Sequence, residues 1–224
     1  MREVDLAFWL PIYFSIAERL KLDVAADRCA TRLMDLLMEG KRDLTDSLED
    51  LMRGERVLVI GNGPSLREAD LSEGLVVAAD AAAHSYLTLT RREPHVIVSD
   101  LDGPPEILGM RSIKVVHAHG DNMAKLLRAI PKLGELVATT QVEPTPRVHN
   151  FGGFTDGDRA VFLACAAGAS SIRLAGFDFD SISDYDIVAG KDIYRKREKL
   201  KIAKELIGIA IKMGCPLEVG ASWR

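Results

Sequence analysis

The chain has 224 residues, enough for one large domain or two small ones. Hydrophobic residues make up 47% and charged residues 28% of it, as in globular proteins with a full core. The formal net charge of −4, without a basic stripe in the sequence, argues against a nucleic-acid-binding protein.

Residues 1–53 are predicted to form an N-terminal helical cap of two or three helices. Leucines recur at helical spacing between positions 33 and 51, and Gly40 marks a helix stop. The apolar run 6–17 is shorter than the roughly 20 residues that cross a bilayer, and it lacks the basic start of an export signal. We therefore expect a core or self-associating helix here, which would allow a homo-oligomer, and no contact with a membrane.

From residue 54 onward, short β-branched runs alternate with helical segments. Nearly continuous apolar runs are typical of parallel strands that are covered on both faces. The predicted strands are 56–60, 75–79, 95–99, 113–117, 135–139 and 171–175, with a short last strand near 217–219. The predicted helices are 120–130, 155–168 and 192–213. This alternation predicts an α/β domain over 54–224, with a Rossmann-like, mostly parallel, doubly wound sheet.

A glycine-rich turn follows the first of these strands and contains Gly61, Asn62, Gly63 and Ser65. Glycines let backbone N–H groups approach an anion, so the turn is a candidate phosphate site. It lacks the Gly-Lys-Ser/Thr ending of a P-loop and the third glycine of a dinucleotide-binding fingerprint. Taken by itself, the segment is interpreted equally well as a plain tight turn.

Carboxylates follow the next strands, at the edge where open α/β sheets bind their ligands. Asp80 ends one strand, Asp100 and Asp102 follow the next, and Asp121 follows the strand after that. Asp100 and Asp102 lie on the same side of an extended backbone, and converging carboxylates repel each other unless a cation intervenes. Oxygen ligands of this kind predict a Mg²⁺ site. The alternative is that each aspartate caps a helix.

A second glycine-rich segment precedes the helix predicted at 155–168. Thr155 or Asp156 is expected to cap that helix, so that its free N–H groups face the ligand edge. Arg159 is then placed to contact a phosphate through its planar fork. The alternative is a structural turn at Gly153 with a surface arginine.

The remaining charged and metal-binding residue types give weaker signals. The basic positions between 191 and 204 are interpreted as the solvated face of the last helix. The spacing of His117 and His119 is only a weak signal for a zinc site. We therefore expect these histidines to support the acidic cluster or to contact a phosphate. The three cysteines form no CxxC pair, a pattern that suits a cytoplasmic protein.

The order of these motifs resembles the archaeal 6-hydroxymethyl-7,8-dihydropterin pyrophosphokinases over about residues 56–220. The segments that carry the resemblance are GNGPSL (61–66), AADAAAH (78–84), SDLDG (99–103), HAHGDN (117–122), GGFTDGDRA (152–160) and GFDF (176–179). The first of them is shared with a wider group that includes bacterial flagellin-modifying motility proteins. The acidic motifs are also distantly similar to those of thiamine pyrophosphokinases. Gly103 replaces the serine usual in that family, and Gly120 and Asn122 replace an acidic or threonine element.

The resemblance implies Mg²⁺-dependent transfer of the β,γ-diphosphate of ATP to the hydroxymethyl oxygen of the pterin, with AMP as product. The pathway would be pterin biosynthesis of the methanopterin or folate type. The implied catalytic and metal-binding residues are Asp80, Asp100, Asp102 and Asp121, and the implied triphosphate contacts are Lys125 and Arg159. Further nucleotide or phosphate contacts are Gly61, Asn62, Gly63, Ser65, Gly153 and Thr155, and substrate contacts are His119, Asn122 and Asp178.

The residues also allow three other functions. A glycosyltransferase that uses nucleotide sugars could hold a metal-bound diphosphate on Asp100 and Asp102. The chain could instead act on thiamine, or bind a nucleotide as a regulatory module without turnover. The sequence leaves open the preferred nucleoside triphosphate, the number of metal ions, the general base and the oligomeric state.

Overall fold

Seven parallel strands form one sheet within the residues that the computed structural model describes, which are 1–72, 74–180 and 192–218. In chain order the strands are β1 (Arg42–Asp43), β2 (Arg56–Ile60), β3 (Leu75–Ala79), β4 (Val96–Ser99), β5 (Ile113–His117), β6 (Glu135–Thr139) and β7 (Ser171–Ala175). Their order across the sheet is β1-β6-β5-β4-β3-β2-β7, with parallel pairing throughout. The predicted Rossmann-like α/β fold is confirmed.

Helices cover both faces of this sheet. They are α1 (Leu6–Leu20), α2 (Val24–Leu37), α3 (Thr45–Met52), α4 (Ala82–Thr90), α5 (Met123–Ala129), α6 (Asp156–Ala166) and α7 (Ile193–Lys212). Side chains alternate along a strand, so Val57 and Val59 join a core with α1, α3, α6 and α7, whereas Leu58 and Ile60 pack against α4. Helices α2 and α5 pack with Val116 and Ala138 on this second face. Across the described ranges, no helix is long and apolar enough to span a membrane.

Residues 1–53 contain the predicted helices and one strand that the sequence does not predict. Trp9 and Tyr13 of α1 are fully buried in the core that also contains Val57, so α1 is the expected core helix. Phe8 and Phe14 of the same helix are 42% and 40% exposed, and self-association stays a prediction. The unexpected strand is β1, which pairs with β6 at the sheet edge. The assignment of residues 1–53 and 54–224 to two domains also stays a prediction.

Strands β2, β3, β5, β6 and β7 have the predicted bounds, and the bounds of the other predicted elements differ by one to three residues. Strand β4 begins at Val96, and the helix predicted at 120–130 opens with the 3₁₀ turn Gly120–Asn122 before α5. Helix α4 was not predicted. The short last strand near 217–219 is represented by Leu217, which forms an isolated parallel bridge with Ile172, while Val219 lies outside the described residues.

The strand order creates a crevice between β2 and β7. From β2 the chain adds β3, β4, β5 and β6 in one direction, then returns so that β7 pairs with the free side of β2. Ligands of open α/β sheets bind at such a reversal, outside the carboxyl ends of the strands. Here the loops after the two strands are joined by backbone hydrogen bonds from Gly61 N to Ala175 O (2.8 Å) and from Gly63 N to Gly176 O (2.9 Å).

Candidate active site

A cavity of about 530 Å³ lies at the carboxyl ends of the strands. Its walls come from the loops after β2, β3, β4, β5, β6 and β7, the first turn of α6, the N-terminal part of α2 and one face of α7. Asp80, Asp100, Asp102 and Asp121 all line it. The predicted convergence of acidic residues at one sheet edge is therefore present.

Three carboxylates form the centre of this site. In the described part of the chain, one oxygen each from Asp80, Asp100 and Asp156 lies within 4.8 Å of the other two. Asp80 and Asp100 follow β3 and β4, and Asp156 is the first residue of α6. From the sequence, Asp156 is predicted only as a helix cap and not as a member of the acidic cluster. Three hard oxygen donors at this separation fit Mg²⁺, which binds carboxylates together with water and phosphate oxygens.

Burial and mutual repulsion set the charge of this cluster. Burial and the charges of Asp100 and Asp80 raise the pKa of Asp156 well above its ordinary value. Burial also raises the pKa of Asp80, although the Ser99 hydroxyl donates to its Oδ1 at 2.6 Å. Burial opposes the charge of Asp100 as well, but the nearby His119 ring and Arg159 outweigh this effect and lower its pKa. A bound cation would relieve the repulsion among the three groups.

Unusual backbone geometry brings these carboxylates together. Asp80 has a φ of 46° and Leu101 a φ of 69°, values that residues other than glycine rarely adopt. Gly103 lies directly against the Asp80 side chain, because a Cβ at position 103 would stand 2.5 Å from Asp80 Oδ2. This close approach is a physical reason for glycine in place of the serine of the thiamine enzymes. Strained residues of this kind concentrate at functional sites.

Asp102 and Asp121 line the cavity outside the three-carboxylate cluster. The Asp102 side chain is 61% exposed and forms an ion pair with Lys125. Asp121 is exposed, and its N–H donates to His119 Nδ1 at 3.3 Å. Their assignment as metal ligands, like that of Lys125 as a triphosphate contact, stays a prediction.

Asn122 joins the loops after β4 and β5. Its buried side-chain amide donates to Asp100 O at 2.8 Å and to His117 O at 2.7 Å, and its Oδ1 accepts from His119 N at 3.1 Å. These bonds position the backbone that carries Asp100. The His119 ring lies closer to the carboxylate cluster, because its Nε2 is 3.6 Å from Asp100 Oδ2.

The predicted phosphate turn packs directly against the loop after β7. Gly61, Asn62 and Gly63 line the cavity, and a Cβ at position 61 would stand 2.6 Å from Gly176 O. Ser65 instead donates to Asp178 Oδ2 from its N–H at 3.0 Å and from its hydroxyl at 2.8 Å. The turn therefore presents its backbone to the cavity. The bonds between Ser65 and Asp178 hold the turn against the loop after β7.

Arg159 is a buried arginine and not the surface residue of the alternative interpretation. It is 3% exposed, with Nη1 3.2 Å from Asp156 Oδ1 and Nη2 donating to Phe154 O at 2.7 Å. Its buried Nε has no hydrogen-bond partner among the described residues. Gly153, with a φ of 85°, makes room for it, since a Cβ there would stand 2.7 Å from Arg159 N. Thr155 is the N-cap residue of α6, and its hydroxyl donates to Asp158.

Basic residues of α7 also line the cavity, whereas the sequence predicts them on a solvated helix face. Arg195, Lys196 and Lys199 line the cavity, and the charge of Lys199 acts on Asp156, where it opposes the rise in pKa. Arg195, Lys199 and Ala203 recur every four residues and so share one helix face. That spacing is the sequence signal that distinguishes the basic residues of α7 that face the cavity from those that face solvent.

The sequence matches the family model described as 6-hydroxymethylpterin diphosphokinase MptE-like over residues 31–184. Three curated proteins named 6-hydroxymethyl-7,8-dihydropterin pyrophosphokinase are similar over most of the chain. The protein from Pyrococcus furiosus is 41% identical over 182 residues, 78% of each chain. The one from Methanothermobacter thermautotrophicus is 36% identical over 219 residues, 91% of this chain and 94% of that protein. The one from Methanocaldococcus jannaschii is 35% identical over 232 residues, 91% and 95% respectively.

Proposed function

Because the chain belongs to the 6-hydroxymethylpterin diphosphokinase MptE-like family, we propose that it transfers the β,γ-diphosphate of ATP to 6-hydroxymethyl-7,8-dihydropterin. The hydroxymethyl oxygen forms a bond to the β-phosphorus, and the bond from that phosphorus to the α,β-bridging oxygen breaks. AMP leaves with the bridging oxygen, and the hydroxyl proton is released to solvent. The products are AMP and the pterin diphosphate, an intermediate for pterin biosynthesis of the methanopterin or folate type.

The observation that carries this proposal is the half-buried cluster of Asp80, Asp100 and Asp156 at the carboxyl edge of the sheet. Three carboxylates so close together are poorly suited to an empty site, because each raises the cost of ionising the others. They would hold Mg²⁺, with Asp102 and Asp121 acting at its edge through water. Bound Mg²⁺ supplies positive charge that neutralises the phosphate oxygens during transfer.

The protein residues around the cluster supply position and charge. The Gly61 and Gly63 N–H groups already donate to Ala175 O and Gly176 O, so the Asn62 N–H is the donor of this turn that would contact a phosphate. Arg195 and Lys199 would neutralise the phosphates from α7. Phosphoryl-type transfer depends mainly on in-line positioning and electrostatic stabilisation, so this arrangement suits the reaction. Arg159 would hold Asp156 in place and partly neutralise its charge through the contact of Nη1 with Oδ1.

The test is a product assay with the purified protein, MgCl₂, ATP and 6-hydroxymethyl-7,8-dihydropterin. We expect AMP and pterin diphosphate in equal amounts, without ADP, measured by chromatography and ³¹P NMR. The matched control is Asp100→Asn, which removes one charge from the cluster and should make almost no product. Formation of ADP, or consumption of nucleotide sugars but not of ATP, would refute the proposal.

A further inference from the structure

The two ends of the cavity differ in charge. At the β2–β7 end, the phosphate turn lines the cavity, and Arg195, Lys196 and Lys199 line it from α7. The opposite end lies beyond β5, where the residues at the start of α2 and in the loops after β5 and β6 line the wall. Its charged members are Lys21, Asp23, Asp27 and Asp121. Polyphosphate carries several negative charges, so it fits the basic end and leaves the acidic end for the second substrate.

We propose that the pterin ring binds at this α2 end and that Asp27 accepts a hydrogen bond from its 2-amino group. This inference rests on the proposed function for the identity of the ligand. The 2-amino group of a pterin is a hydrogen-bond donor, which a carboxylate oxygen complements. Leu22 and Ala26 line the same end and provide apolar surface for a flat ring.

Asp27 is rigidly held, yet it keeps acceptor capacity. It is 4% exposed and lines the cavity. Its Oδ2 accepts from the Tyr13 hydroxyl and from Gln141 Nε2 at 2.8 Å, and its Oδ1 accepts from Gly120 N at 2.7 Å. A carboxylate offers about four acceptor positions, and these bonds use three of them. One position is therefore left for a ligand, on a side chain whose orientation is already fixed.

The surrounding network connects Asp27 to the catalytic cluster. Gln141 Oε1 lies 3.3 Å from His117 Nε2, and burial keeps the pKa of His117 well below its ordinary value, so this ring is neutral. Gly120 packs directly on α2, because a Cβ at position 120 would stand 2.7 Å from Ala26 Cβ. The loop that contacts α2 is thus the one that carries His119 beside Asp100. A ring held by Asp27 would therefore lie beside the loop that brings His119 to Asp100.

The test compares two ligands on Asp27→Asn, which keeps the shape of the side chain but replaces one acceptor oxygen with a donating NH₂ group. We expect the dissociation constant of 6-hydroxymethylpterin, measured by its fluorescence, to rise at least about tenfold. The dissociation constant of the Mg²⁺ complex of α,β-methylene-ATP, measured by calorimetry, should change less than about twofold. An analogue without the 2-amino group should bind the unaltered protein at least about tenfold more weakly than the pterin, and bind Asp27→Asn nearly as well as the pterin does.

Asp35→Asn is the matched control. Asp35 lies about two turns further along the same helix, holds Thr145 and Arg147 at 2.7 Å and 3.1 Å, and does not line the cavity. It should leave both dissociation constants within about twofold. The proposal is overturned if Asp27→Asn weakens only the nucleotide, weakens both ligands equally, or changes neither. Failure of the unaltered protein to form AMP would refute the proposed reaction separately, since pterin binding is read without turnover.

Discussion

At the scale of single residues, Asp156 serves the helix and the site together. As the first residue of α6 it lies where the helix dipole favours negative charge. This partly offsets the cost of burying it beside Asp80 and Asp100. The raised pKa of Asp156 indicates that the offset is incomplete without a cation.

Asp156→Asn should therefore stabilise the metal-free protein and inactivate the enzyme. Loss of one repelling charge should raise the free energy of unfolding in EDTA, measured by urea denaturation. The increase in Tm on adding Mg²⁺ should disappear, and turnover should fall by about 100-fold or more. Asp46→Asn, in the exposed first turn of α3, is the control and should alter none of these. Lower stability in EDTA with an intact Mg²⁺ response would contradict the cluster.

Asp100→Asn and Asp102→Asn should differ, although only two positions separate them. Asp100 is in the cluster, whereas Asp102 is paired with Lys125 at the surface. We expect a loss of turnover of about 100-fold or more for Asp100→Asn and a clearly smaller loss for Asp102→Asn. Combining Asp102→Asn with Lys125→Met should cost little more than either change alone, because the two side chains act as a pair. Equal effects of the two asparagine variants would place Asp102 on the metal.

At the scale of elements, the contact between the loops after β2 and β7 shapes the phosphate side of the cavity. Gly61→Ala would push a Cβ against Gly176 O, a backbone atom that moves only with the loop. Overpacking of this kind costs about 1–3 kcal/mol, so we expect that decrease in the free energy of unfolding in urea, together with weaker ATP binding. Gly134→Ala, with open space around position 134, is the control. A Gly61→Ala protein as stable as that control would show that the loops are not tightly packed.

A second inter-element contact should depend on pH. His149 Nε2 lies 2.6 Å from Asp43 Oδ2 of β1, and its Nδ1 lies 3.0 Å from Glu3 Oε1 at the N-terminus. Burial opposes protonation of His149, but the bonds and charges of Asp43 and Glu3 outweigh it and raise its pKa above 6.5. Burial likewise opposes the charge of Asp43, but His149 and Thr45 hold its pKa below 3.8.

The sign of each shift sets the pH window of this contact. The His149 contribution is complete below its unfolded pKa of about 6.5 and is lost as pH rises through the raised value. The Asp43 contribution is present above about 3.8 and is lost as pH falls through the lowered value. His149→Gln should thus cost most stability between about pH 4 and 6.5 and less at pH 9, in urea unfolding at each pH. Exposed His84→Gln is the control, and a pH-independent loss for His149→Gln would refute the pair.

Local sequence patterns predicted helices and strands better than they predicted which residues contact one another in the fold. Strands β2 to β7 were found because β-branched runs carry their own signal. Strand β1 was missed because Arg42 and Asp43 are polar and exposed, and their partner β6 is distant in sequence. The place of Asp156 in the cluster was not predicted, because an aspartate at the start of a helix looks the same in the sequence whether it caps the helix or faces a metal site. Burial of Arg159 depends on how α6 packs, which no local pattern records.

At the scale of the whole molecule, the N-terminal helices share the core of the sheet. Trp9 and Tyr13 of α1 and Leu48 and Met52 of α3 are fully buried, in one cluster with Val57 of β2. The predicted boundary at residue 53 therefore passes through a continuous core.

A chain of residues 54–224 alone should fail to fold, because one face of the sheet would lose the side chains that cover it. We expect little cooperative unfolding in urea for this fragment, whereas the full chain should unfold in a single transition by circular dichroism and fluorescence. A fragment with a sharp transition at the full-chain midpoint would establish two independent domains.

Ser65 of the phosphate turn and its partner Asp178, in the loop after β7, are 113 positions apart in sequence. The cavity walls come from both the α2 region and α7. Synthesis at the ribosome delivers these parts in order, so a growing chain carries the first two carboxylates long before α7 can cover them. Such long-range closure is slow compared with local folding. Substrate binding consequently requires that α7 has already been made and has folded, and ligands cannot assist the earlier steps of folding.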